Sequence, residues 1–588
     1  MGLFSRPLIA LASRLDGKYG WDRLSTWPGL LTIVYLRKRL RAENLHDTGP
    51  VKLAPPEPPD LSVRTVDGSY NDLAQPSMGS VGTRFGRNMP LGRTYPEEPP
   101  ELLDPSPRLV SRELLTRETF IPVTSVNVLA AAWLQFEVHD WFSHEPDEEV
   151  PPIDIPLAAD DRWEKPPMLV KPTRRDASGD AAGPATFTTY DSHWWDGSQI
   201  YGKDEAFANR ARAHEDGKLR IDREGLPPAD LVTEEDLEGV AGNFWVGLGL
   251  LHTLFMLEHN AICDALRREH SEWSDDKLYA KARLVNAALM AKIHTVEWTP
   301  AIIAHPTTVK GMNANWYGLV GKRWKKRVGR FVNNEVLTGI PGSATDHHGV
   351  PYSLTEEFVA VYRMHPLVPD DYTFRSAAND EVLGERTFRE LGARETRGVL
   401  LDLGMANSFY SFGRAHPGLI TLHNYPRFLQ EFRRPDGEIV DLAAVDILRI
   451  RERGVPRYRE FRELLHRRPV NSFEELTGGD TKAAQELREV YGDLDRLDLM
   501  LGLYAEPRPD GFGFSDTAFR IFVLMASRRL KSDRFFTSDY TPETYTQAGL
   551  DWIEETTMRD VLLRHYPELS PALQGVHNAF QPWARVSA

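Results

Sequence analysis

The sequence contains a single cysteine, Cys263, so no disulfide can form within the chain, and its apolar surroundings (NAICDAL) indicate an inert core thiol. Basic residues are outnumbered: 70 Lys and Arg stand against 85 Asp and Glu, and the formal charge of -15 argues against a nucleic-acid surface. The N-terminal stretch LFSRPLIALASRL is interrupted by Arg and Pro, unlike a signal peptide. No uninterrupted apolar stretch reaches the length of about 18 residues needed to span a bilayer. The single cysteine, the lack of a signal-peptide pattern and the lack of a long apolar stretch together predict a cytoplasmic protein.

One segment leaves open a weak peripheral contact with a membrane. In WPGLLTIVYLRKRLR, residues 27–41, an apolar stripe runs into several basic residues, a pattern typical of helices that lie in a membrane interface. A helix packed on the body of the protein produces the same pattern and is the favoured interpretation.

Strand-like alternation is scarce, and proline-rich stretches at 50–59, 90–107 and 151–172 predict extended loops. Helical periodicity is strong in 125–142, with Ser125 as the expected N-cap, in 243–270 and in 275–298. The second of these stretches is apolar nearly all round in its first half, which predicts a central position. We therefore expect a mainly α fold with very little β-structure: an N-terminal helical and extended segment, 1–60, packed on one large domain, 61–588.

Two pairs of polar residues stand out within apolar helical stretches. Gln135 and His139 are four apart and share one helical face, from which Asp140 turns away. Tyr362 and His365 are three apart in EEFVAVYRMH, which also predicts a shared helical face and space for a ligand between the two side chains. Hydrogen-bonded core residues are the alternative for both pairs.

The loop YDSHWWDGSQIYG, residues 190–202, alternates oxygen donors at Ser192, Trp194, Asp196 and Ser198. Hydroxyl, carbonyl and carboxylate oxygens are the ligands that calcium requires, and Asp140 could supply another carboxylate. A loop that is merely hydrogen-bonded explains the pattern equally well.

Five segments, taken in order, resemble the animal-type haem peroxidase and cyclooxygenase superfamily: QFEVHDW, WWDGSQIYG, LHTLFMLEHNAICDAL, KIHTVEWTPAII and VYRMHPLVPDDY. Within it they are most similar to the fatty-acid alpha-dioxygenases of plants and their bacterial relatives. The resemblance implies a haem peroxidase/cyclooxygenase-like helical domain, a non-covalent haem b and a bound calcium ion. It also implies a fatty acid, O2 and an activating peroxide as partners.

The resemblance assigns roles to individual residues. It makes His139 the distal histidine with Gln135 as its neighbour, His365 the proximal iron ligand and Tyr362 the residue that forms a radical. The implied calcium ligands are Asp140, Ser192, Trp194 through its carbonyl, Asp196 and Ser198. His294 and Thr299 are implied to bind the substrate carboxylate together with a C-terminal arginine, for which Arg529 is preferred over Arg528 and Arg520.

Two departures from the superfamily pattern bear on function. Peroxidases carry an arginine, often with a glutamate, before the EHN segment, but neither occurs between Val240 and Met256 here. A missing distal cation argues against general peroxidase activity and for a haem without covalent attachment. In addition, Pro366 has no N–H to donate near His365, so we expect another residue to tune that histidine and suggest Asn424.

The leading hypothesis is therefore an alpha-dioxygenase: a tyrosyl radical removes a C2 hydrogen from a fatty acid, and O2 adds to give the 2-hydroperoxy acid. A haem peroxidase acting on small reducing substrates is the enzymatic alternative. A non-enzymatic scaffold with a vestigial haem pocket is the third hypothesis.

Overall fold

The computed structural model describes residues 5–49, 55–139, 141–177, 183–229, 236–237, 245–328, 330, 332–434 and 437–587. Within these ranges the β-structure consists of three two-stranded antiparallel sheets. Their strands are Ile153–Ile155 with Met168–Val170, Asp371–Arg375 with Val382–Thr387, and Phe432–Arg433 with Ile439–Val440. The prediction of a mainly α fold is confirmed.

Helices are the main secondary structure of the described chain. The α-helices of six or more residues are Ser5–Tyr19, Thr26–Glu43, Val128–Val138, Glu205–Ala211, Val246–Glu269, Asp275–Ile293, Pro306–Tyr317, Lys322–Val328, Glu356–Val361, Glu395–Leu403, Met405–Arg414, Leu442–Glu452, Tyr458–Leu464, Thr481–Tyr491, Leu499–Ala505, Asp516–Ser532, Gln547–Glu555 and Met558–His565. The described chain also contains α-helices of four residues, the two π-helical turns Ser111–Leu115 and His294–Trp298, and several 3₁₀ turns.

The core helix, Val246–Glu269, runs through the middle of the protein, as its apolar sequence predicts. It packs against the distal helix, Val128–Val138, and against Asp275–Ile293. By length and composition it could cross a membrane, but 83% of its apolar window is buried inside the protein. The one cysteine, Cys263, is buried in this helix, and burial raises the pKa of its thiol well above the ordinary range, so it remains protonated.

The distal helix is shorter than the sequence predicts, and Ser125 does not cap it. Asn127 is the N-cap: its side chain accepts a hydrogen bond from the Ala130 N–H at 3.2 Å. The helix ends at Val138, so His139 stands at its C-terminal boundary. Gln135 and His139 therefore both lie at the C-terminal end of a helix that is otherwise packed in the core.

A π-helical turn interrupts the predicted helix 275–298. Asp275–Ile293 is α-helical and continues as the π turn His294–Trp298 and the short helix Thr299–Ile302. Pro300 explains the interruption because it has no N–H, and its ring clashes with the carbonyl of the residue four positions earlier in a regular α-helix. The wider π turn removes that conflict.

The prediction that Tyr362 and His365 share the face of one helix is wrong. The α-helix Glu356–Val361 ends at Tyr362, and His365 begins a separate 3₁₀ turn, His365–Leu367. Pro366 cannot donate to the Tyr362 carbonyl, so the α-helix cannot continue through this point.

The N-terminal helix Thr26–Glu43 packs on Pro306–Tyr317 and on the arginine helix, Asp516–Ser532. Leu30, Ile33 and Leu40 are buried, whereas Trp27 and Leu31 are 53% and 56% exposed. One face of this helix therefore packs on the body and another remains apolar and exposed. The domain boundary at residue 60 stays a prediction.

Candidate active site

The distal histidine sits beside two other polar side chains. His139 donates its backbone N–H to the Gln135 carbonyl at 2.9 Å, and the Gln135 side-chain oxygen accepts from Trp245 Nε1 at 2.6 Å. The ring of His252, from the core helix, has its centroid 6.3 Å from that of His139. Burial, with a further contribution from His139, lowers the pKa of His252 well below its ordinary value, so this ring is neutral.

His365 is held by a carboxylate that the sequence did not reveal. Its Nδ1 lies 3.0 Å from Oδ2 of Asp446, although the N–H is not well aligned with that oxygen. Burial alone would raise the pKa of Asp446, but Arg363, 3.2 Å away, and His365 hold it below its ordinary value. Asp446 is therefore an anion beside the proximal imidazole.

Asn424 does not take this role, contrary to the sequence-based suggestion. Its side-chain oxygen accepts from Arg117 Nε at 3.0 Å and from the Ile121 N–H at 3.1 Å. Its side-chain nitrogen donates to the carbonyls of Ile121 and Leu419. Asn424 is thus fully occupied in fixing the loop that follows Arg117.

These residues fit an axially ligated haem. With Nδ1 of His365 facing Asp446, Nε2 is the nitrogen left to bind iron, and the His365 side chain is 24% exposed between the buried residues Met364 and Pro366. An imidazole whose second nitrogen faces a carboxylate is the usual arrangement for a metal-binding histidine.

Tyr362 is a buried, neutral phenol without a hydrogen-bond partner in the described protein. Its ring lies 4.6 Å from that of Phe358, 6.0 Å from Phe522 and 6.1 Å from Trp141. Burial raises the pKa of Tyr362 well above its ordinary value, even though the Arg529 charge acts in the opposite direction. The phenol is therefore available to a ligand or to redox chemistry rather than to the fold.

The π turn aligns His294 with Thr299. Residues five apart on an α-helix differ by roughly 140° around the axis, but here the Thr299 N–H donates to the His294 carbonyl across one turn. Trp133 Nε1 donates to His294 Nδ1 at 3.2 Å, which places the imidazole proton on Nε2. Burial and the nearby Arg529 charge lower the pKa of His294 to about 3, so it is a neutral donor. The Thr299 hydroxyl is buried and has no protein partner.

Of the three candidate arginines, Arg529 has the most spare hydrogen-bonding capacity: two of its nitrogens lack a partner in the described part of the chain, against one each in Arg520 and Arg528. Its guanidinium lies 3.8 Å above the ring of Trp141 and donates from Nη2 to the Trp194 carbonyl at 2.9 Å. Its Nε and Nη1 are buried without a well-aligned partner among the residues that the structure describes. The neighbouring Tyr352 phenol donates to the His193 carbonyl at 2.9 Å, and its oxygen lies near enough to the Arg529 guanidinium to interact with it.

The other two arginines are committed to the fold. Arg528 donates to the backbone carbonyls of Val350 and Pro351 at 2.7 and 2.9 Å. Arg520 forms ion pairs with Asp16 and Asp516 at 2.9 and 2.8 Å.

The 190–202 loop is buried and closed by its own hydrogen bonds. Ser192 Oγ donates to Asp196 Oδ2 at 2.8 Å, and the Ser198 N–H donates to Asp196 Oδ1 at 3.2 Å. Arg283 lies 3.6 Å from the Asp196 carboxylate. The carbonyl of Trp194 accepts from Arg529, so the loop and the arginine helix meet there. Asp140, the fifth predicted ligand, lies outside the described residues.

Sequence reasoning missed the face of the distal helix opposite Gln135 and His139. Trp133 and Glu137 lie four apart on that face, and Trp141 follows in the next turn. Trp133 donates a hydrogen bond to His294, and Glu137 accepts one from Trp195. The Arg529 guanidinium lies above the ring of Trp141. Their four-residue spacing was a visible signal, but a stripe of two tryptophans and a glutamate carries no recognisable motif.

Comparisons with known proteins show the family of this chain. The animal haem peroxidase family model matches residues 63–580. The chain is 40% identical to alpha-dioxygenase PIOX of Pisum sativum, over 99% of this chain and 92% of that protein. It is 39% identical to alpha-dioxygenase 2 of Arabidopsis thaliana, over 96% and 91%. The chain thus belongs to the animal haem peroxidase family, in its alpha-dioxygenase branch.

Solved structures give the same result. The crystal structure of Oryza sativa fatty acid alpha-dioxygenase superposes with a TM-score of 0.93 at 37% identity, covering 99% of this chain and 97% of that one. A variant of the Oryza sativa enzyme in which one tyrosine is replaced by phenylalanine, solved with palmitic acid, superposes with a TM-score of 0.92 at the same identity and coverage.

Proposed function

We propose that this protein is a haem-dependent fatty-acid alpha-dioxygenase that converts a fatty acid and O2 into the 2-hydroperoxy acid. One observation carries the proposal: the Thr299 hydroxyl, two nitrogens of Arg529 and the Tyr362 phenol are all buried and lack a well-aligned partner within the described ranges of the chain. Buried polar groups are nearly always hydrogen-bonded, and leaving one unsatisfied costs roughly 1–3 kcal/mol. A ligand that satisfies them would recover that free energy.

A carboxylate matches these groups. Arg529 offers positive charge and two N–H donors, and Thr299 and the Nε2–H of the neutral His294 are further donors. The rest of the surroundings is apolar and aromatic, with Trp141, Phe358 and Phe522 around Tyr362. A fatty acid, anionic at one end and apolar along its chain, has the complementary chemistry.

The anchor determines which carbon reacts. When Arg529 fixes the carboxylate, the hydrogens on C2 are the first that the chain offers to Tyr362. The Tyr362 phenoxyl radical takes one hydrogen atom from C2 and becomes a phenol. O2 adds to the C2 radical, and the resulting peroxyl radical takes a hydrogen atom back from the phenol. The products are the 2-hydroperoxy acid and a regenerated Tyr362 radical, so atoms and electrons balance.

Haem, bound through His365, would supply the oxidant that first converts Tyr362 to its radical after reaction with a peroxide. His139 is placed to accept and return the peroxide proton as a general base, with Gln135 beside it. Asp446 would keep the His365 imidazole oriented and electron-rich. The absence of glutamate between Val240 and Met256 agrees with a haem b that is not covalently attached.

The alternative is peroxidase activity on small reducing substrates. It is disfavoured because the segment between Val240 and Met256 contains no arginine or lysine that could act as a distal cation. The polar group that the core helix places near His139 is His252, and this ring is neutral. Oxygen uptake with palmitic acid, compared with guaiacol oxidation by peroxide, separates the two activities. We expect uptake with formation of 2-hydroperoxypalmitic acid; guaiacol turnover without uptake would establish the peroxidase alternative.

We also propose calcium at the 190–202 loop, with Asp140, Ser192, the Trp194 carbonyl, Asp196 and Ser198 as ligands. The support is an oxygen-only donor set gathered within seven residues of buried loop. Asp196→Asn should lower both the calcium content and the rise in melting temperature on adding calcium, because a ligand that binds only the folded state stabilises it. Metal analysis that finds no calcium in the unmodified protein would refute the site.

Peripheral membrane contact is a further proposal, supported by the exposed apolar residues Leu11, Trp27 and Leu31 on the two N-terminal helices and by the exposed Lys38 on the second of them. We expect flotation with vesicles of phosphatidylcholine and phosphatidylglycerol. Exchange of Trp27 and Leu31 for serine should abolish it. The same exchange at Val382 and Leu383, which are exposed on a hairpin elsewhere, should not.

A further inference from the structure

Glu137 is a fully buried carboxyl that neither the fold nor the chemistry above explains. Its Oε2 accepts from Trp195 Nε1 at 2.8 Å, whereas Oε1 is buried without a partner in the described protein. A buried carboxyl is costly unless it is paired or protonated. A buried carboxyl group with one unpartnered oxygen, such as that of Glu137, therefore indicates a binding or catalytic role.

The surroundings of Glu137 are those of the carboxylate site. The ring of Trp195, which holds Glu137, lies 5.0 Å from that of His294 and 5.1 Å from the Arg529 guanidinium. The Glu137 charge also acts on the Tyr362 phenol. Because Glu137 is on the helix face opposite Gln135 and His139, it faces the substrate side and not the distal histidine.

We propose that Glu137 is a fourth polar group of the substrate site and that its carboxyl proton is donated to the fatty-acid carboxylate. Binding the fatty-acid anion is then coupled to proton uptake: an ionised Glu137 must gain one proton, which ends up shared between the two carboxyl groups. The inference rests on the proposed fatty-acid function and extends it to how the anion is recognised.

The electrostatics agree with this arrangement. Burial raises the pKa of Glu137 to about 8, although the Trp195 hydrogen bond and the Arg529 charge lower it. The titratable groups near Glu137 on other elements are Arg529 and Tyr362 and, across the Trp195 ring, His294. His139 and Asp140 follow Glu137 in the sequence. His294 has a pKa of about 3 and is neutral above pH 5, and Tyr362 is a neutral phenol. Below about pH 8 Glu137 can donate; above it, a second anion in the site repels the substrate.

The test is calorimetric binding of decanoate, a short soluble fatty acid, to the haem-loaded Tyr362→Phe protein, which should bind without turnover. Titrations in two buffers of different ionisation enthalpy give the number of protons taken up. We expect close to one proton at about pH 9 and close to none at about pH 6.5, with an affinity that falls by up to about tenfold per unit above pH 8. Adding Glu137→Gln should remove both the uptake and the pH dependence.

Two controls make the outcome specific. Glu297→Gln neutralises another buried carboxyl, whose pKa is about 7 beside Lys292, and should leave the uptake intact. Decan-1-ol should bind without uptake. Two results would overturn this inference but not the proposed function: decanoate binding to the Tyr362→Phe protein without proton uptake at about pH 9, or proton uptake that persists after Glu137→Gln is added. Failure of decanoate to bind at either pH overturns the proposed carboxylate site and this inference with it.

Discussion

His365, the proposed proximal haem ligand, has its Nδ1 atom 3.0 Å from Oδ2 of Asp446, a residue 81 positions later in the chain. The same carboxylate is contacted by Arg363 at 3.2 Å and by the Tyr425 hydroxyl at 3.3 Å. A carboxylate that faces the second nitrogen of an iron-binding imidazole makes that imidazole a stronger electron donor.

Asp446→Asn should therefore raise the reduction potential of the haem iron and weaken haem retention by roughly 10- to 100-fold. Potentiometric titration and the rate of haem transfer to apomyoglobin measure the two effects. Tyr425→Phe is the matched control, because it removes a hydrogen bond to Asp446 but keeps the charge, so the potential should not rise. An unchanged reduction potential of the haem iron in Asp446→Asn would show that Asp446 does not influence the iron through His365.

Tyr362→Phe should abolish oxygen uptake while leaving haem content, fatty-acid binding and stability nearly unaltered. The phenol has no hydrogen-bond partner to lose, so the free energy of unfolding should change by less than about 1 kcal/mol. Tyr372→Phe is a close control: its phenol is also buried and unpartnered, but its ring packs on Trp245 and Phe412 instead of Trp141. That variant should retain activity. Formation of 2-hydroperoxy acid by Tyr362→Phe at a comparable rate would contradict the radical mechanism.

Local sequence patterns predicted the helices but not the turns and helix ends that connect them. The helices around 128–138, 246–269 and 275–293 follow from apolar periodicity, which the tertiary structure did not override. The π turn at His294 and the helix end at Tyr362 depend on single prolines, Pro300 and Pro366, whose effect on geometry a periodic pattern does not contain. Asp446 and Glu137 acquire their roles from long-range contacts. The sequence offered no local signal for Asp446, and the four-residue spacing of Trp133 and Glu137 carries no recognisable motif.

Arg529→Gln should raise KM for fatty acids by roughly 10- to 100-fold, the value of one charge-assisted hydrogen bond. Loss of the anchor should also loosen the preference for C2, which product analysis by mass spectrometry would detect. Arg528→Gln supplies the contrast, since Arg528 donates to backbone carbonyls and not to the site. It should lower the melting temperature and leave KM unchanged. The reverse pattern for the two variants would mean that Arg528 binds the carboxylate.

Thr299→Val tests whether the π turn exists to present a substrate donor. The exchange keeps the shape of the side chain and removes a buried hydroxyl that has no protein partner, so the folded protein should be no less stable. If that hydroxyl donates to the fatty-acid carboxylate, KM should rise about tenfold, because a hydrogen bond to a charged group contributes about 1.5 kcal/mol or more. Thr308→Val has the opposite expectation: its hydroxyl donates to the Ile303 and His305 carbonyls at 2.7 and 2.9 Å, so melting temperature should fall while KM stays constant. Measuring KM and melting temperature for both variants separates binding from folding, and a Thr299→Val protein with lower stability but an unchanged KM would make Thr299 a structural residue only.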